Sequence, residues 1–287
     1  MAGMRRLLVF LADTHAGHKL TLLNPDTWLL EQTDGEFRPY HPQLGAVQQG
    51  LWSYYMGDIE AVARLADGCQ VDVVHVGDVT WGLRYPQGLV STRMADQMTI
   101  AVANLEPWLA LENVRSLTLV TGTDSHELGE ASAPIAVAGE LARAHPGREV
   151  SVVSHLLADV EGYGVDAAHH GPGPGTRTWL KGNMVRYYGR SIMEEEIIRG
   201  GRPPDLIVRA HYHEYVHETI RIMGEREWCT EVIVLPSYAG LTPYAQQATR
   251  SLSQIGCGLV AVEIEDGRLR EVRAFHRVRD IRARRAM

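Results

Sequence analysis

The chain has 287 residues, of which 45% are hydrophobic and 22% charged, and its net charge is −7 with histidine neutral. That length is ample for a real core in one large domain or two small ones, and the composition excludes a disordered or fibrous chain. The acidic balance disfavours duplex nucleic acid, whose affinity rests on Lys and Arg neutralising phosphates; the one dense basic cluster, Arg277, Arg279, Arg282, Arg284 and Arg285, reads as a solvated chain end. The first predicted element is a strand over residues 6–12, an apolar run that stops at Asp13.

From about residue 19 to 70 the chain reads as an insertion. Its first part, with Asn24-Pro25 and Asp34-Gly35, predicts loop or hairpin. Its second part, 44–66, has helical spacing with Leu51, Tyr55, Ile59, Val62 and Leu65 on one face. In that helix Trp52, Ser53, Tyr54 and Tyr55 read as one apolar face and its neighbours, with a substrate lid or subunit interface as the rival. A strand over 71–76 ends at Gly77-Asp78, and a helix over 92–111 is perturbed by Pro107. Residues 117–120 predict a strand ending at Gly122, and 135–144 a helix stopped by Pro146-Gly147. Residues 149–157 and 164–168 predict a strand hairpin ending at His169-His170, followed by the rigid GPGPG loop. A helix over 183–199 and a strand over 205–210, ending at His211, come next. The remainder predicts strands only, at 215–222, 230–235, 258–264 and 269–276, with turns such as Asp266-Gly267. We find no repeat, linker or domain boundary, so one domain is expected over 1–287. The expected fold class is α/β, with two packed mixed β-sheets flanked by helices in a four-layer αββα sandwich.

Three cysteines, Cys69, Cys229 and Cys257, lie far apart with no C-x-x-C spacing. Neither a disulfide framework nor a Cys-based zinc site is expected, and a reducing cytoplasm is the default compartment. Arg5-Arg6 before an apolar run imitates a signal peptide but lacks a cleavage site, and no apolar run approaches a bilayer span.

Thirteen histidines are many for this length, and several stand beside acids at the ends of apolar runs. Taken singly, Asp13 and Asp78 read as strand-end turn residues, His15 as a surface histidine, and His211 and His213 as one side of a solvated edge. Taken in order, Asp13-x-His15, Gly77-Asp78, Gly122…His126, His169-His170 and His211-x-His213 resemble the calcineurin-like metallophosphoesterases, whose pattern is D-x-H, G-D, G-N-H, H and G-H-x-H. The resemblance covers roughly residues 7–215. It implies that Asp13, His15, His213 and Asp78 hold one divalent metal ion, and that His169 and His211 hold a second that Asp78 bridges. Oxygen and imidazole donors without thiolates suit Mn²⁺, Fe or Zn²⁺, with Mn²⁺ favoured. Two such ions about 3.5–4 Å apart clamp a phosphoryl group and activate a bridging water as hydroxide.

The pattern departs from the family in two places. Val79, Thr80 and Trp81 follow Gly77-Asp78 where a second acid is usual, and Trp81 reads first as a core tryptophan. In Gly122-Thr123-Asp124-Ser125-His126-Glu127 the asparagine is missing and the histidine is displaced by two residues. Two readings stand equal: Asp124 replaces the amide as ligand with His126 as general acid, or His126 is itself a second-metal ligand. In a third reading Asp124 only caps the next helix. For His169-His170, strand alternation predicts one ligand, the other orienting it from behind. His18 or His170 is the substitute if His126 gives no acid. His41, His75, His145, His155, His217 and His276 have no motif context and read as surface or satisfied core residues.

The expected activity is hydrolysis of a small phosphodiester or nucleotide-like substrate. Diesters are favoured over monoesters because the motifs hold no arginine cluster for a dianion, with Arg84, Lys181 and Arg186 as the cations that folding could bring in. The rivals are a nuclease of the same superfamily, a non-catalytic metal-binding interaction module, and a single-metal hydrolase. Oligomeric state is left open.

Overall fold

The computed structural model describes residues 4–173, 175, 177–224, 226–242, 254–280 and 285; Arg282 and Arg284 of the basic end, and Pro174 of the GPGPG loop, lie outside the described residues. In chain order the elements are β1 (Arg5–Leu11), β2 (Leu29–Thr33), β3 (Glu36–Tyr40), α1 (Ala46–Ala66), β4 (Gln70–Val76), α2 (Met94–Leu109), β5 (Val114–Val120), the single-turn α3 (Asp124–Glu127), α4 (Ser132–Ala144), β6 (Glu149–Val153), β7 (Leu156–Val160), β8 (Tyr163–Ala167), α5 (Asn183–Ile198), β9 (Leu206–Arg209), β10 (Val216–Met223), β11 (Glu227–Val234), β12 (Gln254–Glu265) and β13 (Arg268–Asp280).

Alternation along β1 dictates the layering. Leu7, Val9 and Leu11 face one apolar core, and Leu8, Phe10 and Ala12 another. A strand buried on both faces needs cover on both, and each face finds a different kind. The first core lies between the sheet β13-β12-β1-β4-β5-β6 and helices α1, α2 and α4. The second lies between that sheet and the sheet β10-β11-β9-β8-β7. A third, with Val185 and Met193 of α5 against Ile207 and Val232, covers the outer face of the second sheet. The order of layers is therefore helix, sheet, sheet, helix, as expected. Both sheets are mixed: β1, β4, β5 and β6 run parallel with β12 antiparallel to β1, and β8, β9 and β11 run parallel with β7 and β10 antiparallel at the edges.

One predicted feature is corrected. Residues 149–157 are not one strand. β6 is the edge of the first sheet beside β5, and the chain crosses at Ser154-His155 to begin the second sheet as β7. The hairpin is β7–β8 alone, turned by Glu161-Gly162 with φ of 56° and 89°. Of the closing strands, β10 and β11 join the second sheet, and β12 and β13 return to the first sheet beside β1.

The insertion holds the β2–β3 hairpin, turned at Asp34-Gly35, and α1. Tyr55 is buried, and its hydroxyl donates to the Asn104 carbonyl at 2.8 Å. Trp52 packs on the same core, so this face of α1 is structural, while Ser53 and Tyr54 are exposed. No helix among the described residues is long and apolar enough to cross a membrane. The three thiols are free; Cys229 is exposed, whereas Cys257 is buried and burial pushes its thiol up to about 11. Iodoacetamide is accordingly expected to label Cys229 in the native protein and Cys257 only after unfolding, as read by peptide mass spectrometry. Rapid native labelling of Cys257 would contradict that packing.

Candidate metal centre

The loops leaving the C-terminal ends of β1, β4, β5, β8 and β9 meet at one crest of the two sheets, the end of parallel strands where sites commonly form. Asp13, Asp78, His169 and His211 each follow the last residue of their strand by two positions. Buried backbone groups hold these loops together: Asp13 N–H donates to Gly77 C=O at 3.1 Å and His15 N–H to Asp78 C=O at 3.0 Å. His211 N–H donates to Asp13 Oδ2 at 3.2 Å, which ties the second sheet to the first.

Five residues here adopt the left-handed region although none is glycine: Asp13 (φ 52°), His15 (46°), Asp78 (56°), His211 (75°) and His213 (55°). Each such residue costs roughly 1–2 kcal/mol. A cluster of them at one crest is strain of the kind that persists where surrounding structure over-determines it and function uses the geometry.

The glycines permit the close approach. A Cβ on Gly77, itself at φ 85°, would stand 2.3 Å from His169 Nδ1, and one on Gly122 would stand 2.2 Å from Asp78 N and 2.3 Å from Asp78 Oδ1. Gly122→Ala must therefore displace Asp78. A loss of about 1–3 kcal/mol in thermal denaturation, with weaker metal retention, is expected; an unchanged melting temperature would show that the loop yields without resistance.

Two donor clusters result. In one, His213 Nε2 lies 3.2 Å and His15 Nε2 3.6 Å from Asp13 Oδ1, and the two imidazole nitrogens are 3.1 Å apart. In the other, His169 Nε2 lies 3.2 Å from Asp78 Oδ2 and 3.2 Å from His211 Nδ1, with His170 beside them. Asp78 belongs to a group with His15 and His126 and to another with Asp13 and His169, so its carboxylate lies between the clusters.

The donor set fits metal ions. His169 Nδ1 is 2.8 Å from the Val76 carbonyl, which can only accept, so this nitrogen carries the proton and Nε2 presents a lone pair toward Asp78 and His211. Asp13 Oδ1 is buried without a hydrogen bond. Lone pairs facing lone pairs in a buried site require a cation between them. Without one, protons take that role. Burial opposes the charge on His169, yet the adjacent Asp78 and then Asp13 hold its imidazole up at about 9. His213 is likewise raised by Asp13 against burial, whereas burial pushes His15 down to about 4. Both carboxylates, despite burial, are held below their usual range by these imidazoles.

The third motif differs from expectation. Asp124 is exposed on the first turn of α3 and belongs to none of the donor groups among the described residues. His126 lies with His15, ring centroids 4.6 Å apart, and its Nε2 is 4.0 Å from Asp78 Oδ2. It joins no group with His169, His170 or His211, so the structure does not bring it to the second cluster. Thr123 occupies the place next to Gly122 instead, its N–H donating to Asp78 Oδ1 at 2.6 Å.

The structure also reveals Glu127. This buried carboxylate accepts from Asp78 N–H at 3.0 Å and from Gly122 N–H at 2.7 Å, and burial pushes it up to about 7. A histidine-centred reading had no signal for it beyond its adjacency to His126. His75, read as satisfied core, is fully buried behind the site against the Thr14 hydroxyl at 2.9 Å, although its Nδ1 has no partner.

Trp81 is not in the core. It stacks on His18 at 4.2 Å, meets His15 edge-on at 5.4 Å, and its indole N–H donates to Tyr85 C=O. His18 is buried with both nitrogens engaged, Nε2 to Gln87 C=O at 3.0 Å and Nδ1 from Leu20 N–H at 3.1 Å. It is therefore no substitute acid. The strand-based logic for the remaining histidines is corrected too. β8 and β9 end before His169 and His211, so a bend and two left-handed residues, not strand alternation, set where these side chains stand. No known protein-family model matches the chain, and no curated protein matches it by sequence.

Proposed function

We propose that the chain is a two-metal phosphoester hydrolase of the calcineurin-like kind, acting on small phosphodiester or nucleotide-like substrates. One observation carries this reading: two imidazole–carboxylate clusters share Asp78 at one crest of a two-sheet sandwich. Asp13, His15 and His213 would hold one ion and His169 and His211 the other, with Asp78 serving both. When bound, such ions supply charge neutralisation at the phosphoryl oxygens and a more acidic water.

The chain's own residues do the rest. The Trp81 carbonyl, 2.6 Å from His126 Nδ1, can only accept, so that nitrogen keeps its proton. Nε2 is then the position that exchanges protons, beside Asp78 and His15. As an imidazolium, His126 can hand this proton to a departing alkoxide. Trp81, edge-on to both His15 and His126, walls that side. Lys181 pairs with Glu214 and Arg186 with Glu218, while Arg84 stands over the Tyr85 ring on the rim. With two of the three candidate cations engaged elsewhere, a diester monoanion suits the site better than a monoester dianion. Three free thiols suit a reducing compartment such as the cytoplasm.

The test is elemental analysis of protein purified without chelator, beside hydrolysis of bis-p-nitrophenyl phosphate with and without Mn²⁺. About two metal ions per chain and Mn²⁺-dependent cleavage are expected. No metal and no turnover with any added ion would leave an interaction module on this fold. His126→Ala should slow an alkyl diester by roughly 10²-fold and the p-nitrophenyl ester far less, since only the poor leaving group needs a proton. Equal losses on both substrates would remove the acid role.

A further inference from the structure

The cluster around His169 holds more imidazole than the two-metal reading requires. His169, His170 and His211 bring donor nitrogens within 4.8 Å of one another. Their ring centroids are 4.9 Å apart for His169–His170, 5.2 Å for His169–His211 and 4.9 Å for His170–His211. The bend at His169 makes this possible, and it is anchored: Ala168 N–H donates to Val208 C=O at 3.1 Å, and Ala210 N–H to His169 C=O at 2.9 Å. The Thr123 hydroxyl caps the cluster. Its oxygen is 3.4 Å from His169 Nε2, 3.5 Å from His170 Nε2, 3.4 Å from His211 Nδ1 and 3.3 Å from Asp78 Oδ2.

We propose that His170 is a resident metal donor, and that with His169, His211 and Asp78 it makes this pocket prefer an imidazole-seeking ion such as Zn²⁺ more strongly than the Asp13 pocket does. The inference rests on the two-metal reading and adds a ligand and a selectivity to it.

A hydroxyl has one proton and cannot satisfy three imidazole nitrogens and a carboxylate oxygen together. A cation among them satisfies all four and leaves the Thr123 oxygen as a neutral neighbour. The two pockets are then chemically unequal. The Asp13 pocket sets a carboxylate beside two imidazoles, His15 and His213, whereas the His169 pocket gathers three imidazoles with Asp78 Oδ2 at 3.2 Å from His169, Asp13 also lying in a group with Asp78 and His169. Carboxylate and water suit Mn²⁺, and imidazole suits Zn²⁺. His170 is exposed, so it completes the pocket from the solvent side and can be removed without opening the core.

The experiment titrates the full chain, stripped with chelator, with Zn²⁺ and separately with Mn²⁺ against a chromophoric chelator, for wild type and His170→Ala. Elemental analysis gives the stoichiometry and a melting curve checks the fold. Two Zn²⁺ steps are expected in the wild type. In His170→Ala one step should weaken by roughly ten-fold or more, with the other step unchanged and Mn²⁺ affinity much less affected. Two unchanged Zn²⁺ steps in the variant would overturn His170 as a donor while leaving the two-metal reading standing. Equal weakening of Zn²⁺ and Mn²⁺ would overturn the selectivity. A wild type that takes up fewer than two equivalents overturns the two-metal reading and this inference with it.

Discussion

Asp78→Asn is expected to release metal from both clusters together and to lower diester turnover by roughly 10³-fold, the scale of losing one preorganised charged group. Asp78 Oδ1 accepts the Thr123 N–H, while Oδ2 faces His169 at 3.2 Å, His15 at 3.9 Å and His126 at 4.0 Å. An asparagine can keep its carbonyl oxygen on the Thr123 N–H, so the loop should hold its shape. The other end then turns an uncharged NH₂ toward His169 Nε2, whose lone pair it would occupy. The negative charge that both clusters share is gone. His213→Ala makes the useful contrast, because His213 belongs only to the group with Asp13 and His15. That variant should lose about one equivalent where Asp78→Asn loses two. Elemental analysis of both, with melting temperatures within a few degrees of wild type, decides the matter. Two retained ions and full turnover in Asp78→Asn would end the bridging assignment.

The strand ends were legible because burial on both faces makes β1, β4 and β9 largely apolar runs, and such runs stop where the chain leaves the core. Asp13, Asp78 and His211 stand at those stops. The left-handed backbone of Asp13, His15, Asp78, His211 and His213 was not legible, since Asp and His only tolerate that region better than most residues and contacts between distant loops decide where it is adopted. The same holds for His170. A period of two is a property of strands, and the chain has already bent when it reaches His169. The crossing at Ser154-His155 was hidden because β6 and β7 carry similar residues and differ only in which sheet they join. Thr123 and Glu127 were missed for a further reason. Their roles are to hold Asp78, and a residue that acts on a neighbour's backbone leaves no pattern in its own spacing.

Glu127→Ala follows from that role and should cost about 2–6 kcal/mol, since the Asp78 and Gly122 N–H groups each lose their acceptor in a buried loop at about 1–3 kcal/mol apiece. For a chain of this size that is a fall of roughly 5–15 °C in melting temperature. Metal retention should fall with it, because Asp78 is no longer held from behind. Glu127→Gln keeps one acceptor oxygen but sets an NH₂ against the second N–H, so it should fall between wild type and alanine. The pH dependence gives an independent check in metal-free protein. Burial pushes the Glu127 carboxyl up to about 7 from an ordinary value near 4.5. The folded chain then binds a proton there that the unfolded chain has already lost. This contribution to stability is full below about pH 4.5 and is lost as the pH rises through about 7. Denaturant titrations across that window should show the metal-free wild type losing stability with rising pH relative to Glu127→Gln, which has no proton to lose. Parallel curves for the two proteins, or an alanine variant that melts with wild type, would mean that something other than Glu127 holds the Asp78 loop.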